Sequence, residues 1–420
     1  MAKLSLTRIL RNDARLTMAI RLRKGRAMRR TVSWSFVVLL LILVGTARAD
    51  EDGRGSAVRL LTSIPVPGHL VIFDISWIDA DTQLYYLADR SNNAIDVIDA
   101  KRNVFVKQIA KGNFTGFTGN NDTSGPNGVV TAGRWLFVSD AGSRVVSIDL
   151  QTDQIVDNVN TGGAPGLRAD ELAYDPRDGV LLAANNADSP PFVTVIQVNK
   201  RTGHLSVGNR ITFANATNGA EQSVWDPATG RFYLSLPEVN GNVADGAVAR
   251  IHPSGTLETL FPVRLCQPAG LSLGPRQDLL LGCSMVFDTG GAPWTASSTT
   301  SAAPAQVIMD ARTGAIDARV AGVGGSDEVW FNRGDQRFYT ASRANPGSPV
   351  LGVIDAESQS LIQVVPTFNT PATAPAPRGT SHSVAVDSHN NHVFVPMPAN
   401  NVFPNCLDGC VAVFGTPSDD

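Results

Sequence analysis

One pattern recurs seven times along the sequence and constrains the fold more than any other feature. Each copy has a short apolar run after a polar residue, a turn rich in Asp, Gly and Asn, and two further apolar runs. Short alternating runs repeated at about 40 to 50 residues are typical of four-stranded propeller blades. The copies lie 43 to 58 residues apart and begin at Phe73, Pro126, Ala169, Ala220, Pro268, Ser326 and Ser381.

We therefore predict an all-β fold, a seven-bladed β-propeller. The last copy ends after its third apolar run, one fewer than the four strands of a blade. The early run at residues 58–66 has no blade of its own. We expect this N-terminal strand to complete the last blade and close the ring, because pairing there would remove an exposed sheet edge. The sequence shows no helical periodicity, which argues against α/β folds.

The N-terminal segment predicts export. Residues 28–49 have a basic start, an apolar stretch and a small-residue exit. The apolar stretch is about half the roughly 20 residues that a transmembrane helix needs. We expect an export signal within residues 1–49, with Met18 or Met28 as alternative starts, and a single propeller domain over residues 50–420. The expected location is periplasmic or secreted, without stable membrane insertion after cleavage.

The four cysteines fit an oxidising compartment. Cys266 and Cys283 flank two apolar runs that reverse direction between them, so we expect the two sulfurs to face each other across a hairpin. Cys406 and Cys410 would close a tight loop. The alternative is four free buried thiols.

The net charge of the chain argues against nucleic acids as partners. The formal net charge is −3, from 38 acidic and 35 basic residues, and basic residues cluster only near the N-terminus. The chain thus lacks the basic surface that nucleic-acid binding requires. We expect a monomer whose partner is a small-molecule substrate or ligand.

Three connections are much longer than the others. They span residues 111–125, 284–306 and 367–380, and the blade pattern places all three on one face. Loops longer than about 12 to 15 residues are uncommon and are often functional. We expect this face to bind a ligand, with permissive surface variation as the alternative.

An acidic or amide residue recurs where the innermost strand of a blade begins, beside the central channel. Carboxylates that converge there would repel each other unless a cation lies among them or some carry protons. We predict a divalent metal ion at this place. Oxygen ligands favour calcium, magnesium or manganese, and a nearby histidine would also allow zinc. Hydrogen bonds that link blades are the structural alternative. The predicted metal ligands are Asp74, Asn127, Asp170, Glu221 and Asp327.

Two stretches carry a family resemblance. "LYYLADRSNNAIDVIDAKRNVFVKQI" at residues 84–109 and "HSVAVDSHNNHVFVP" at residues 382–396 resemble the YVTN-type β-propeller repeats of secreted and periplasmic bacterial proteins. The likeness covers most of residues 58–416. It implies the propeller fold, but such propellers include both enzymes and binding proteins.

A second resemblance covers one blade. "PNGVV" at residues 126–130, with "VSDAG" at residues 138–142, is similar to repeats of gluconolactonase and regucalcin-like propellers. In these, acidic and asparagine side chains hold a divalent metal that polarises a lactone. The resemblance implies that Asn127 is a metal or substrate ligand.

From these features we predict a metal-dependent small-molecule hydrolase of the lactonase or esterase type. The metal would polarise a carbonyl and lower the pKa of a bound water. The alternative is a non-catalytic periplasmic binding or protein-interaction propeller. The predicted catalytic residues are Glu171, Glu328 and His382. The predicted substrate-binding residues are Arg90, Arg343 and Trp294.

Overall fold

The computed structural model describes residues 57–367 and 381–417. The predicted export signal and all but the first residue of the connection 367–380 lie outside the described residues. Within the described part, seven antiparallel sheets of four strands each form a seven-bladed β-propeller. The predicted all-β fold class and blade number are confirmed.

Blades 1 to 4 each consist of four strands that are consecutive in the chain. Blade 1 contains β2 (Ser76–Asp79), β3 (Leu84–Asp89), β4 (Ala94–Asp99) and β5 (Val104–Ile109). Blade 2 contains β6 (Val129–Ala132), β7 (Trp135–Asp140), β8 (Arg144–Asp149) and β9 (Gln154–Asn160). Blade 3 contains β10 (Leu172–Asp175), β11 (Val180–Asn185), β12 (Phe192–Val198) and β13 (Leu205–Thr212). Blade 4 contains β14 (Ser223–Asp226), β15 (Arg231–Leu236), β16 (Asp245–His252) and β17 (Thr256–Arg264).

Blades 5 to 7 vary this plan. Blade 5 contains β18 (Pro268–Leu273), β19 (Asp278–Cys283), β22 (Ala305–Asp310) and β23 (Ile316–Ala321), with the small hairpin β20 (Phe287–Asp288) and β21 (Ala302–Ala303) inserted. Blade 6 contains β24 (Val329–Asn332), β25 (Arg337–Ser342), β26 (Val350–Asp355) and β27 (Ser360–Pro366). Blade 7 contains β28 (Ala385–Asp387), β29 (His392–Met397), β30 (Cys410–Gly415) and β1 (Arg59–Pro65).

The N-terminal strand β1 belongs to the blade that holds the end of the chain. It pairs antiparallel with β30, from Arg59 opposite Gly415 to Pro65 opposite Cys410. The blade 7 sheet therefore has the order β1, β30, β29, β28. In this sheet β1 covers the outer edge that β30 would otherwise expose.

The first strands of the blades form the inner ring. Each contacts the first strands of both neighbouring blades, and β28 of blade 7 contacts β2 of blade 1. The hydrophobic core lies between the sheets, where apolar residues of adjacent blades pack face to face, as around Tyr86 and Val138. The outermost strands alternate exposed and buried positions, as in β17. This periodicity of two is what a sheet edge with one buried face requires.

Local turn chemistry explains why the first hairpins recur. In the "DP" turns, the carboxylates of Asp175 and Asp226 accept hydrogen bonds from backbone N–H groups two residues later, at 2.8 and 2.9 Å. Each turn then passes through a positive φ, 69° at Gly179 and 66° at Gly230, a conformation that glycine adopts without a steric cost. These turns join the first and second strands on the face opposite the long connections.

Both disulfides form as predicted from the spacing. Cys266 pairs with Cys283 across the β18–β19 hairpin, and Cys406 pairs with Cys410. Within the described residues, none of the helices has the length and apolar character needed to cross a bilayer.

Candidate functional site

The recurring acidic position lies just ahead of the first strand in most blades. Its backbone is nevertheless held by the second strand, since the N–H of Asp170 donates to Ala184 O at 2.8 Å and that of Glu221 donates to Ser235 O at 2.9 Å. The side chains are thereby fixed at one end of the inner ring, the channel mouth. The same bond fixes Asp74, Asn127 and Asp327.

A buried arginine occupies the blade 1 side of the channel mouth. The Arg90 side chain is 1% exposed and donates to the Asp74 carboxylate. Its Nε also donates to Asn127 Oδ1 at 3.0 Å, and its Nη1 donates to Asn121 Oδ1 at 2.5 Å. Burial lowers the pKa of Arg90, and the negative charge of Asp74 acts in the opposite direction. Arg90, predicted to bind substrate, donates hydrogen bonds to two of the predicted metal ligands.

A second arginine, Arg168, was not among the predicted site residues. Its Nη2 lies 2.9 Å from Asp170 Oδ2, and its Nη1 lies 3.3 Å from Asp74 Oδ2. Its Nε donates to Asn186 Oδ1 at 3.2 Å. Burial alone would lower the pKa of Arg168, but the charges of Asp170 and Asp74 raise it above its ordinary value. This guanidinium therefore supplies a fixed positive charge between blades 1 and 3.

Asp327 of blade 6 and His382 of blade 7 form the next part of the channel mouth, beside blade 1. Asp327 Oδ2 lies 3.0 Å from Arg343 Nη2 and 3.4 Å from His382 Nδ1. Burial acts to raise the pKa of Asp327, but Arg343 and His382 together bring it below its ordinary value. The imidazole stacks on Phe73, and its Nε2 lies 3.2 Å from Phe73 O. Both ring nitrogens of His382 thus face acceptors within the protein.

The glutamates next to the ring differ in how they are bonded. Glu328 accepts a hydrogen bond from Val384 N of the next blade at 3.1 Å. Gln222 holds the equivalent position in blade 4, and its Oε1 accepts from Leu271 N at 2.6 Å. These are the bonds between blades that the structural interpretation of the ring expects. Glu328 and Gln222 therefore link neighbouring blades.

Glu171, the blade 3 member of this set, has no such bond. Its side chain is 5% exposed and lines the channel-mouth cavity, yet the described residues place no hydrogen-bond donor against its carboxyl. Burial raises its pKa well above the ordinary value, and the charges of Glu328 and Asp170 raise it further. Glu171 is thus a buried carboxyl that the fold itself leaves unbonded.

Two further acids at the channel mouth have displaced pKa values. Burial, together with Asp74 and Asp327, raises the pKa of Asp170 to about 6 against the lowering effect of Arg168. Burial, together with Asp170 and Asp327, raises the pKa of Glu221 to about 8. Glu221 is therefore mostly protonated near neutral pH, whereas Asp170 is mostly ionised.

These groups surround one large polar cavity of about 970 Å³. Its floor is the ring of acids with Arg168 and His382. Its walls come from the loops at residues 186–191 and 214–219 and from the long connection 111–125. Of the two long connections that the structure describes, one borders the cavity, and two shorter loops that the sequence did not single out contribute more residues to its lining.

The remaining predicted residues differ in their distance from the cavity. Trp294 donates from its indole to Thr300 O within the connection 284–306 and lines a separate cavity of about 500 Å³ against Pro346. Arg343 lines the channel-mouth cavity and is 43% exposed. Glu328 lies beneath the cavity rather than on its wall. Of the predicted residues, the structure brings Asp74, Asp170, Glu171, Glu221, Asp327, Arg343 and His382 together on the cavity wall.

Three of the predicted metal ligands already bond to arginines. Asp74 and Asn127 direct side-chain oxygens at Arg90, and Asp170 directs one at Arg168. A divalent ion at this place would be next to two guanidinium groups. Within residues 57–367 and 381–417, no group of three or more His, Cys, Asp or Glu side chains is arranged to hold a metal. The arginines supply the positive charge that the sequence interpretation assigned to a metal.

Comparison with known proteins adds no family assignment. No protein-family model and no curated protein matches the sequence. The resemblances to YVTN-type and gluconolactonase-like propellers therefore stay predictions.

Proposed function

We propose that this propeller binds a small polar molecule in the channel-mouth cavity. The observation that carries the proposal is Glu171, a residue that is 5% exposed, lines the cavity and has no hydrogen-bond partner for its carboxyl among the described residues. A ligand that donates a hydrogen bond to this carboxyl would displace no contact within the protein.

The shape of the site supports the proposal. A volume of about 970 Å³ is at the upper end of the range of about 300 to 1,000 Å³ found for ligand pockets. The ring beneath it is held in place by Arg90 and Arg168, each bonded to at least three protein groups. Polar groups that are fixed before binding lose little entropy when a ligand arrives.

Thermal unfolding with a library of small polar compounds tests this function. We expect at least one compound to raise the Tm of the wild-type protein, because ligands that bind only the folded state stabilise it. The shift should be lost in Glu171→Ala. Glu357→Gln is the matched control, since Glu357 is exposed on the opposite face, in the turn between β26 and β27. A library without any stabilising compound, or a shift that Glu171→Ala leaves intact, contradicts the proposal.

A hydrolase of the lactonase or esterase type is the second candidate function. The observation in its favour is the pair formed by Glu221, with a pKa of about 8, and Asp170, with a pKa of about 6, on one cavity wall. Carboxyls whose environments separate their pKa values in this way suit the roles of general acid and general base. Chromogenic esters and lactones test it, and Glu221→Gln should abolish turnover while leaving the fold intact.

We also propose that the protein works outside the cytoplasm. Two disulfides are present, and structural disulfides persist mainly in oxidising compartments. The predicted signal peptide supports the same location. N-terminal sequencing of the protein recovered from the source cells tests it, with Asp50 as the expected first residue.

A further inference from the structure

The cavity wall carries more acidic than basic side chains. The lining contains seven carboxylate side chains but only two guanidinium groups and one imidazole. Three of the carboxylates, those of Asp74, Asp170 and Asp327, have arginine partners. Among the described residues, no cationic side chain lies within salt-bridge distance of Glu171 or Glu221. The cavity therefore has an acidic part that the protein does not neutralise.

From this distribution we infer that the ligand of the cavity is a small organic cation whose ammonium group lies between Glu171 and Glu221. The inference rests on the proposed binding function and names its ligand class. An ammonium group offers both things that this part of the wall lacks, a positive charge and hydrogen-bond donors for the free Glu171 carboxyl. A neutral ligand would supply only donors, and an anion would be repelled.

The protonation of the acids supports this choice. Burial and neighbouring acids raise the pKa of Glu221 to about 8, and the pKa of Glu171 also lies well above its ordinary value. Neither carboxyl forms an ion pair, and the lowering effect of Arg168 on the pKa of Glu221 does not cancel that of burial. A bound ammonium group would favour the charged form of both carboxyls, so that protons would be released. The charged and titratable groups that act on the two carboxyls are Asp74, Asp170, Asp327, Glu328 and Arg168.

An organic cation suits the cavity better than a bare metal ion. The space of about 970 Å³ is far larger than one ion requires, and the nearest aspartates are already bonded to guanidinium groups. The rest of the wall offers Asn186, Asn218 and Thr217 to the body of a ligand, with Phe73 as an apolar face. A molecule with one ammonium end and a polar body fits this arrangement.

Matched pairs of compounds test the inference by isothermal titration calorimetry on the intact protein. The pairs are putrescine with 1,4-butanediol, ethanolamine with ethylene glycol, and glucosamine with glucose. In at least one pair we expect the cation to bind about tenfold or more tightly than its neutral partner. Buffers of different ionisation enthalpy should show that binding of this cation at pH 7 releases protons.

Substitutions of Glu171 and Glu221 test whether these two carboxyls cause the preference for the cation. Glu171→Gln with Glu221→Gln keeps the size of both side chains, and we expect it to remove the preference for the cation and the proton release. Glu357→Gln should retain both. Neutral partners that bind as tightly as the cations, or a preference that survives in the double variant, would overturn the inference. Tighter binding of calcium or magnesium than of any ammonium compound would also overturn it.

The outcome separates this inference from the proposed function. If a neutral or anionic compound binds and Glu171→Ala abolishes its binding, the ligand class is wrong and the binding function stands. If neither these compounds nor any member of the polar library binds, both fail.

Discussion

Arg168 and Asp170 lie two residues apart and form a buried ion pair, with 2.9 Å between Arg168 Nη2 and Asp170 Oδ2. The same guanidinium reaches Asp74, which is 94 residues away in the sequence. Through these contacts, one side chain links the first strands of blades 1 and 3 across the channel mouth. The charges of Asp74 and Asp170 are therefore matched within the protein.

Removing this guanidinium should destabilise the fold in a pH-dependent way. We expect Arg168→Met to lower the free energy of unfolding by about 3 kcal/mol at pH 8, because it leaves the buried Asp170 carboxylate without its ion-pair partner. The loss should be smaller at pH 5, below the pKa of about 6 of Asp170, where this carboxyl takes up a proton. Urea unfolding at both pH values measures it.

The matched control is an exposed pair. Arg102 is 77% exposed and lies 3.5 Å from Asp99, so Arg102→Met should change stability by less than about 1 kcal/mol. Equal effects of the two substitutions, or an Arg168→Met effect that does not vary with pH, would show that Arg168 does not neutralise the buried acids beside it.

Two glutamates at equivalent positions should behave differently. We expect Glu328→Ala to lower the free energy of unfolding by about 1 to 3 kcal/mol, because Val384 N loses its buried acceptor. Glu171→Ala should cost much less, since the Glu171 carboxyl accepts no bond from the protein. Chemical denaturation of both variants checks this order. A larger loss for Glu171→Ala would mean that Glu171 serves packing rather than ligand binding.

The raised pKa of Glu221 predicts how stability depends on pH. The folded pKa of about 8 lies above the ordinary value of 4.5, so this contribution is fully present below pH 4.5 and is lost as pH rises to about 8. We expect Glu221→Gln to reduce the downward slope between these values. At pH 8 it should raise stability relative to wild type by on the order of 2 kcal/mol. A slope that the substitution leaves unchanged would assign the pH dependence to other groups.

The two disulfides should contribute unequally. Cys266 and Cys283 are separated by 17 positions, whereas Cys406 and Cys410 are separated by four. In the chain-entropy account, the longer loop stabilises by about 3 kcal/mol and the shorter loop by about 1 kcal/mol less. Replacing each pair with serines and comparing the Tm values checks this order. A larger effect of the Cys406 pair would point to native contacts rather than loop entropy.

The fold could be predicted from the sequence because its determinants are local and repeated. The "DP" turns are made by Asp175 and Asp226, which bond to backbone groups two residues away. Once the turns fix the register, the position that faces the channel follows in every blade. The positions of Asp74 and Asp170 beside the channel were available from this pattern alone.

The chemistry of the site was harder to predict because it depends on contacts between blades. Arg168 lies in a connection just ahead of the repeat, and its partner Asp74 is remote in the chain. No periodic signal marks such a residue. An arginine close to a recurring acid, as in "LRADEL" at residues 167–172, is the only sequence signal that could have indicated it. Trp294 lines a cavity separate from the acids, formed by its own connection and residues 344–349, a contact between blades that the sequence does not indicate.

Elemental analysis of the purified wild-type protein and of Asp170→Ala tests the central claim most directly. We propose that Arg90 and Arg168, rather than a resident metal, neutralise Asp74 and Asp170 at the channel mouth. We therefore expect far less than one equivalent of any divalent metal in either protein after dialysis. About one equivalent in the wild type, lost in Asp170→Ala, would contradict it and restore the metal site predicted from the sequence.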